Sequence, residues 1–313
     1  MFIFVIIFIF ILIVIIIISL FYYKKRIEIQ GHRGFRGLYP ENTIPAFKNA
    51  ILVDVDTLEL DLQLSKDDVV VVYHDKAINN LCKNGVLNKD IRSLTLEEIK
   101  KYDCGSIKNA RFPLQKTIPF TQIPTLEELF EFIKTIDDKN IKFNIEIKTT
   151  ENLEPLYNDK DVIIFTKKVI DILEKYNMKN RTIIQTEDVR CIKAVKSIDK
   201  NIILSFIINA PSDVDMVKIG KEMDVSIISP EFTLLNKNLV DKLHKNGFKV
   251  IPWVINTDDE LKSMIDMGVD GVITDYPDII LKYLKKDSNV ISKFNKLTFS
   301  LQFYVNLHHH IFS

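Results

Sequence analysis

From residue 27 to about residue 285, apolar runs of strand character alternate with segments of helical period, and the alternation repeats about eight times. Strands are expected at 27–30, 57–64, 69–73, 142–148, 182–185, 202–207, 225–229, 250–255 and 271–274. Helices are expected at 42–52, 125–136, 162–176, 189–197, 238–245, 258–267 and 277–284. Such alternation makes the strands parallel, joined by crossover helices. The number of units favours a closed (β/α)8 barrel, an α/β TIM barrel, over an open doubly wound sheet. No G-x-G-x-x-G opens a helix after the first strand, which also argues against a dinucleotide fold. Residues 76–122 break the rhythm and read as an insertion. Its one helical signal, at 95–101, starts with the capping box Thr95-Leu96-Glu97-Glu98.

Ahead of the barrel, residues 2–18 are uninterruptedly apolar, and Ser19 is followed by Leu20-Phe21-Tyr22-Tyr23. As a helix this stretch is about 30 Å long, one hydrocarbon core. It lacks the charged start and small-residue cleavage site of a secretory signal, so residues 1–23 read as an uncleaved transmembrane anchor. The tyrosines suit the membrane interface, and Lys24-Lys25-Arg26 follow at once. Positive residues stay on the cytoplasmic side. A single-pass membrane protein with its catalytic part in the cytoplasm is therefore expected. The chain divides into this anchor, a barrel over 27–286 and a C-terminal tail over 287–313, to which no barrel role is assigned. The tail's His308-His309-His310 reads as solvated rather than metal-binding.

Of the 313 residues, 42 are basic and 42 acidic, so there is no basic excess to attract nucleic acid. The three cysteines, Cys82, Cys104 and Cys191, are odd in number and show no C-x-x-C spacing. Reduced thiols are expected, with neither a disulfide framework nor a zinc site, and this leans towards the cytosol.

The chemistry lies in the strand faces. In 57–64 the leucines at 58, 60, 62 and 64 share one face, and Glu59, Asp61 and Gln63 share the other. Taken alone, that pattern is a solvated sheet face. However, 142–148 likewise puts Asn144, Glu146 and Lys148 opposite its apolar face, and the first strand ends at His32-Arg33. The run after 69 ends at His74, and 250–255 carries Trp253, the only tryptophan. In a (β/α)8 barrel the carboxyl ends of the strands form the active site. Glu59, Asp61 and Glu146 would meet there and repel one another unless a cation neutralises them. All-oxygen ligands favour Mg2+ or Ca2+ over zinc. Arg33 and Lys148 suit a bound phosphate, and His32 and His74 supply a proton acceptor and a proton donor. Together these residues describe metal-assisted phosphodiester cleavage.

Gly31-His32-Arg33-Gly34, Pro40-Glu41-Asn42-Thr43, Glu59-Leu60-Asp61, His74-Asp75, Glu146-Ile147-Lys148, Trp253-Val254-Ile255-Asn256 and the run from Gly268 to Pro277 resemble the glycerophosphodiester phosphodiesterases. The resemblance covers about residues 28–285. It implies a TIM barrel with a family-specific insertion after the second histidine. It implies Glu59, Asp61 and Glu146 as metal ligands, His32 and His74 as the acid–base pair, and Arg33 and Lys148 on the phosphate. Glu41 is implied near the metal or holding Arg33. Attack by a neighbouring substrate hydroxyl and direct attack by water are both open, and acid and base are not assigned between the histidines. Two stretches depart from the family. Leu-x-Arg-Thr-Thr is replaced by Ile78-Asn79-Asn80-Leu81-Cys82, and Trp-Thr-Val-Asn by Trp253-Val254-Ile255-Asn256. Either change alters what the non-phosphate end of the substrate meets.

Hydrolysis of soluble glycerophosphodiesters to glycerol 3-phosphate and an alcohol is the first expectation. A membrane-anchored lysophospholipase D acting on lysolipids is the second, because a tether raises the effective concentration of lipid substrates. A catalytically inactive, membrane-bound binding module is the third, disfavoured because every catalytic residue is present.

Overall fold

The computed structural model describes residues 27–136, 140–151, 154–209 and 214–284. The expected anchor and tail lie outside the described residues. Among those described, no helix is long and apolar enough to cross a membrane.

The chain builds β1 (Glu28–Gly31), β2 (Thr57–Leu64), β3 (Val70–Val72), β4 (Lys142–Ile147), a small hairpin of β5 (Thr150–Glu151) and β6 (Glu154–Pro155), then β7 (Thr182–Thr186), β8 (Ile203–Ile208), β9 (Ile227–Pro230), β10 (Lys249–Val250) and β11 (Gly271–Thr274). The main sheet runs β10-β9-β8-β7-β4-β2-β1-β11, and all these neighbours are parallel. Backbone bonds from Asp270 N to Val250 O and from Ile273 N to Pro252 O, 2.9 and 3.0 Å, join the two ends and close the barrel.

The expected crossover helices form, and their caps explain where they start. Thr43, Thr125, Asn158, Asn236 and Thr257 each accept a backbone N–H at the first turn. Thr125 and Thr257 complete capping boxes with Glu128 and Glu260. The helices lay Phe47, Phe130, Phe165 and Leu243 against the outer faces of the strands, where Leu58, Leu60, Leu62 and Phe143 are fully buried. Ring contacts such as Phe130 to Phe143, 5.2 Å between centroids, fill this layer. The helix Met216–Met223 and the β5–β6 hairpin were not expected from the sequence.

Three expectations are corrected. First, the 69–73 run is not a barrel strand: β3 pairs antiparallel with β2, Leu64 opposite Val70 and Leu62 opposite Val72. β2 outruns its barrel partners, so the chain can fold back on it, and Tyr73 N bonds to Asp61 O at 3.0 Å. His74 thus returns to the level of Asp61. Second, the strand expected at 250–255 is only two residues long, because Pro252 cannot donate to a ladder. Third, Cys82 and Cys104 are not reduced thiols. They form a disulfide within the insertion, and only Cys191 is free among the described residues. Ile78, Ile91, Ile99 and Tyr102 of the insertion pack with Val71 and Tyr73 before it and Ile123 after it in a small second core, and this packing brings the two cysteines together.

Candidate active site

The barrel lumen is polar on one side and apolar on the other. Below the carboxylates, Asn144 Nδ2 donates to Gln30 Oε1 at 2.7 Å and to Gln185 Oε1 at 3.0 Å. Gln185 Nε2 in turn donates to Glu59 Oε1 at 2.9 Å. Opposite, Ile183, Ile227, Ile251 and Ile273 pack against Trp253. The face of β2 that could have been solvated is therefore internal: Glu59 and Asp61 are 2% and 1% exposed.

Register brings the acids together. Glu59 sits opposite Asn144, and Asp61 opposite Glu146. Glu59, Asp61 and Glu146 each offer an oxygen, all within 4.8 Å of one another. Burial first, then the neighbouring Asp61 charge, pushes the Glu59 carboxyl well up. Burial also raises Glu146, against the pull of Lys148. Asp61 stays low: burial opposes its charge, but His74, Arg33, Lys148 and a 2.8 Å bond from Asn42 Nδ2 outweigh it. Three buried, repelling, all-oxygen donors fit a hard divalent cation.

The cations surround this cluster. Lys148 Nζ lies 2.9 Å from Glu146 Oε1. Arg33 stands in the left-handed region, φ 51°, where its own N–H donates to Glu59 Oε2 at 2.9 Å. Its side chain reaches Glu41 Oε1 at 2.6 Å and Asp61 Oδ2 at 3.2 Å. Glu41 also accepts from Arg36 Nε at 2.7 Å, so Glu41 holds two arginines and is not part of the carboxylate cluster. Burial would raise Glu41, but the two guanidinium groups hold it down.

Each histidine has a carboxylate partner. His32 Nδ1 lies 2.6 Å from Asp275 Oδ1, and its Nε2 accepts from Arg33 Nε at 3.3 Å. Burial lowers its pKa, and Asp275 only partly offsets this. His74 Nδ1 lies 2.6 Å from Asp75 Oδ1. Trp253 is fixed across the mouth by its Nε1–H bond to Ser229 O, 2.9 Å.

His32, Arg33, Glu41, Glu59, Asp61, His74, Glu146, Lys148 and Trp253, the residues singled out by the sequence, all line one cavity of about 570 Å³. Sequence reasoning did not assign Arg36, Asp275, Asn42 or Gln185 to the site. Asp275 was findable, since it follows directly on the end of β11. Gln185 was legible as the last residue of the strand expected at 182–185, whereas Arg36 is placed only by tertiary contacts.

A parallel barrel whose mouth combines an acidic cluster with paired histidines and cations is built as a phosphoester-cleaving TIM-barrel enzyme. Residues 32–279 match the glycerophosphoryl diester phosphodiesterase family, and the chain belongs to it. It is 33% identical over 255 residues to a glycerophosphodiester phosphodiesterase of Caldanaerobacter subterraneus, covering 82% of this chain and 96% of the relative. It is 30% identical to lysophospholipase D GDPD1 of Mus musculus, covering 82% and 86%. An Oleispira antarctica phosphodiesterase, solved with the product sn-glycerol-3-phosphate, shares the fold with a TM-score of 0.69 at 21% identity, covering 82% of this chain and 96% of that one.

Proposed function

We propose that this protein is a divalent-cation-dependent phosphodiesterase that hydrolyses glycerophosphodiesters to glycerol 3-phosphate and an alcohol. The observation that carries the reading is the single cavity in which Glu59, Asp61 and Glu146 stand beside His32, the His74–Asp75 pair, Arg33 and Lys148. The three carboxylates would hold Mg2+ or Ca2+, which when bound polarises a phosphoryl oxygen. Arg33 and Lys148 bind and orient the phosphate. Arg33 N and Gln185 aim the Glu59 carboxylate from two sides. His32, kept neutral by burial with its proton on Nδ1 towards Asp275, holds Nε2 as an acceptor, bonded to Arg33 Nε and released for the role of base once Arg33 takes the phosphate. His74 is then the acid that protonates the leaving oxygen. Trp253 walls the alcohol side.

Membrane attachment through residues 1–23, with the barrel over 27–286 and a tail after it, belongs to the same proposal. β1 starts at Glu28, on the floor of the barrel, opposite the mouth reached at His32. The lysophospholipase D relative keeps lysolipids in play as a second substrate. Lys24-Lys25-Arg26 support a cytoplasmic barrel, whereas the disulfide belongs to an oxidising compartment. Protease protection in sealed vesicles decides the side.

Purified full-length enzyme is offered glycerophosphocholine and lysophosphatidylcholine, with and without chelator. Chelator-sensitive turnover of the first is expected. Turnover of the lysolipid alone replaces this reading with lysophospholipase D, and turnover of neither with metal supplied leaves a binding module.

A further inference from the structure

The two histidine–carboxylate pairs are held in different ways. His32 and Asp275 are packed into the barrel, their side chains 11% and 6% exposed, whereas those of His74 and Asp75 are 26% and 37% exposed. No barrel strand carries His74. Its backbone is tied to β2, where Gln63 Nε2 donates to His74 O at 3.0 Å, but its carboxylate partner is held from the insertion: Asn79 Nδ2 donates to Asp75 Oδ2 at 2.7 Å, opposite the oxygen facing His74. Asn79 is itself pinned, its N–H donating to Tyr73 Oη at 2.9 Å and its Oδ1 accepting from Leu81 N at 2.9 Å. Cys82 N donates to Asn79 O at 3.3 Å, and the disulfide ties Cys82 to Cys104. Beside it, Lys83 and Asp103 exchange backbone bonds of 2.9 and 3.0 Å.

We propose that Asn79, braced by the Cys82–Cys104 disulfide, is a positioning residue for His74, so that opening the disulfide lowers turnover. This rests on the hydrolase reading above. A dithiol reductant opens the bond in two exchanges: one thiolate attacks a cysteine sulfur to form a mixed disulfide, and the second displaces the protein thiolate. The protein ends with two thiols and the reductant with a cyclic disulfide. Without the brace the Asn79 turn moves, and Asp75 and His74 lose their fixed orientation.

The test uses the full chain in detergent with glycerophosphocholine, before and after dithiol treatment. A general acid contributes 10²–10⁴-fold, so partial misplacement is expected to cost about tenfold in kcat with KM little changed. Asn79→Ala should reproduce the loss while the disulfide is intact. In a His74→Ala background, reduction and Asn79→Ala should have no further effect, because the group they position is gone. Independently of turnover, reduction should remove hydrogen-exchange protection at the Asn79 and Leu81 amides but not along β2 and β4. Wild-type kcat after reduction, an equal loss in His74→Ala, or unchanged protection at Asn79 overturns the proposal. Absent turnover in the untreated enzyme, with the exchange change present, rejects the hydrolase reading and leaves the brace standing.

Discussion

Asp275 Oδ1 lies 2.6 Å from His32 Nδ1, although the two residues are 243 positions apart in the chain. β11 pairs with β1, Thr274 opposite Gly31, so the residues just past both strand ends meet. The contact fixes the tautomer of His32 and leaves Nε2 as its acceptor, the requirement for a base at neutral pH.

This relationship makes the first prediction. The His32 pKa is lowered by burial, so the imidazole stays neutral and competent down to pH below ~6.5. The acid limb of kcat/KM is expected below that value. Asp275 raises the His32 pKa, so Asp275→Asn should move the limb to still lower pH. It should also cut kcat by about 10²–10⁴-fold by favouring the wrong tautomer. A limb above ~6.5, or one unmoved by the substitution, would assign the titration to another group.

The acidic cluster makes the second. Glu59 has a raised pKa in the folded protein, so its stabilising contribution is present below the unfolded value of ~4.3 and is lost as pH rises through the folded value. In chelated protein, the stability of the wild type relative to Glu59→Gln should therefore fall as pH rises above ~4.3. Mg2+ or Ca2+ at about 100 times Kd should raise stability by ~2.7 kcal/mol in the wild type and far less in the variant. Scanning calorimetry reads both effects. A melting temperature indifferent to either ion would remove the cation from this site.

Arg33 supplies the third. Its guanidinium reaches Glu41, Asp61 and His32, a fork that an ammonium group cannot reproduce. Arg33→Lys should lower kcat/KM by about 10–100-fold, ~1.4–2.8 kcal/mol, with the fold intact by circular dichroism. Near-wild-type kinetics would show that charge alone suffices there.

Gly34 supplies the fourth. Its φ is +85°, and a Cβ would lie 2.8 Å from the carbonyl carbon of Ala46 and 2.9 Å from Phe47 N, at the start of the helix Ile44–Leu52. Gly34→Ala should cost about 1–3 kcal/mol in urea unfolding and displace Arg33. Unchanged stability would mean the helix can retreat without penalty.

The Glu59/Asp61 and Glu146/Lys148 alternations were legible because a strand has period 2, so a polar face is visible in one dimension. That this face looks inward was not, since an internal polar face and a solvated one have the same alternation. His74 shows the limit in another way. Its run reads as one more strand of the series, yet pairing with the overlong β2 turns it antiparallel. Cys82 and Cys104, 22 residues apart, gave no spacing signal, and only the folding of the insertion brings them into a bond.

The linear pattern by itself determined the barrel, its capped helices and the residue types of the site, because periodicity, capping and strand-end chemistry are local properties. Only the tertiary structure decided which oxygens meet within 4.8 Å, which carboxylate holds which imidazole, and that the insertion is tied shut by a disulfide. Those are distances between residues remote in the chain, set by strand register and by how the insertion packs.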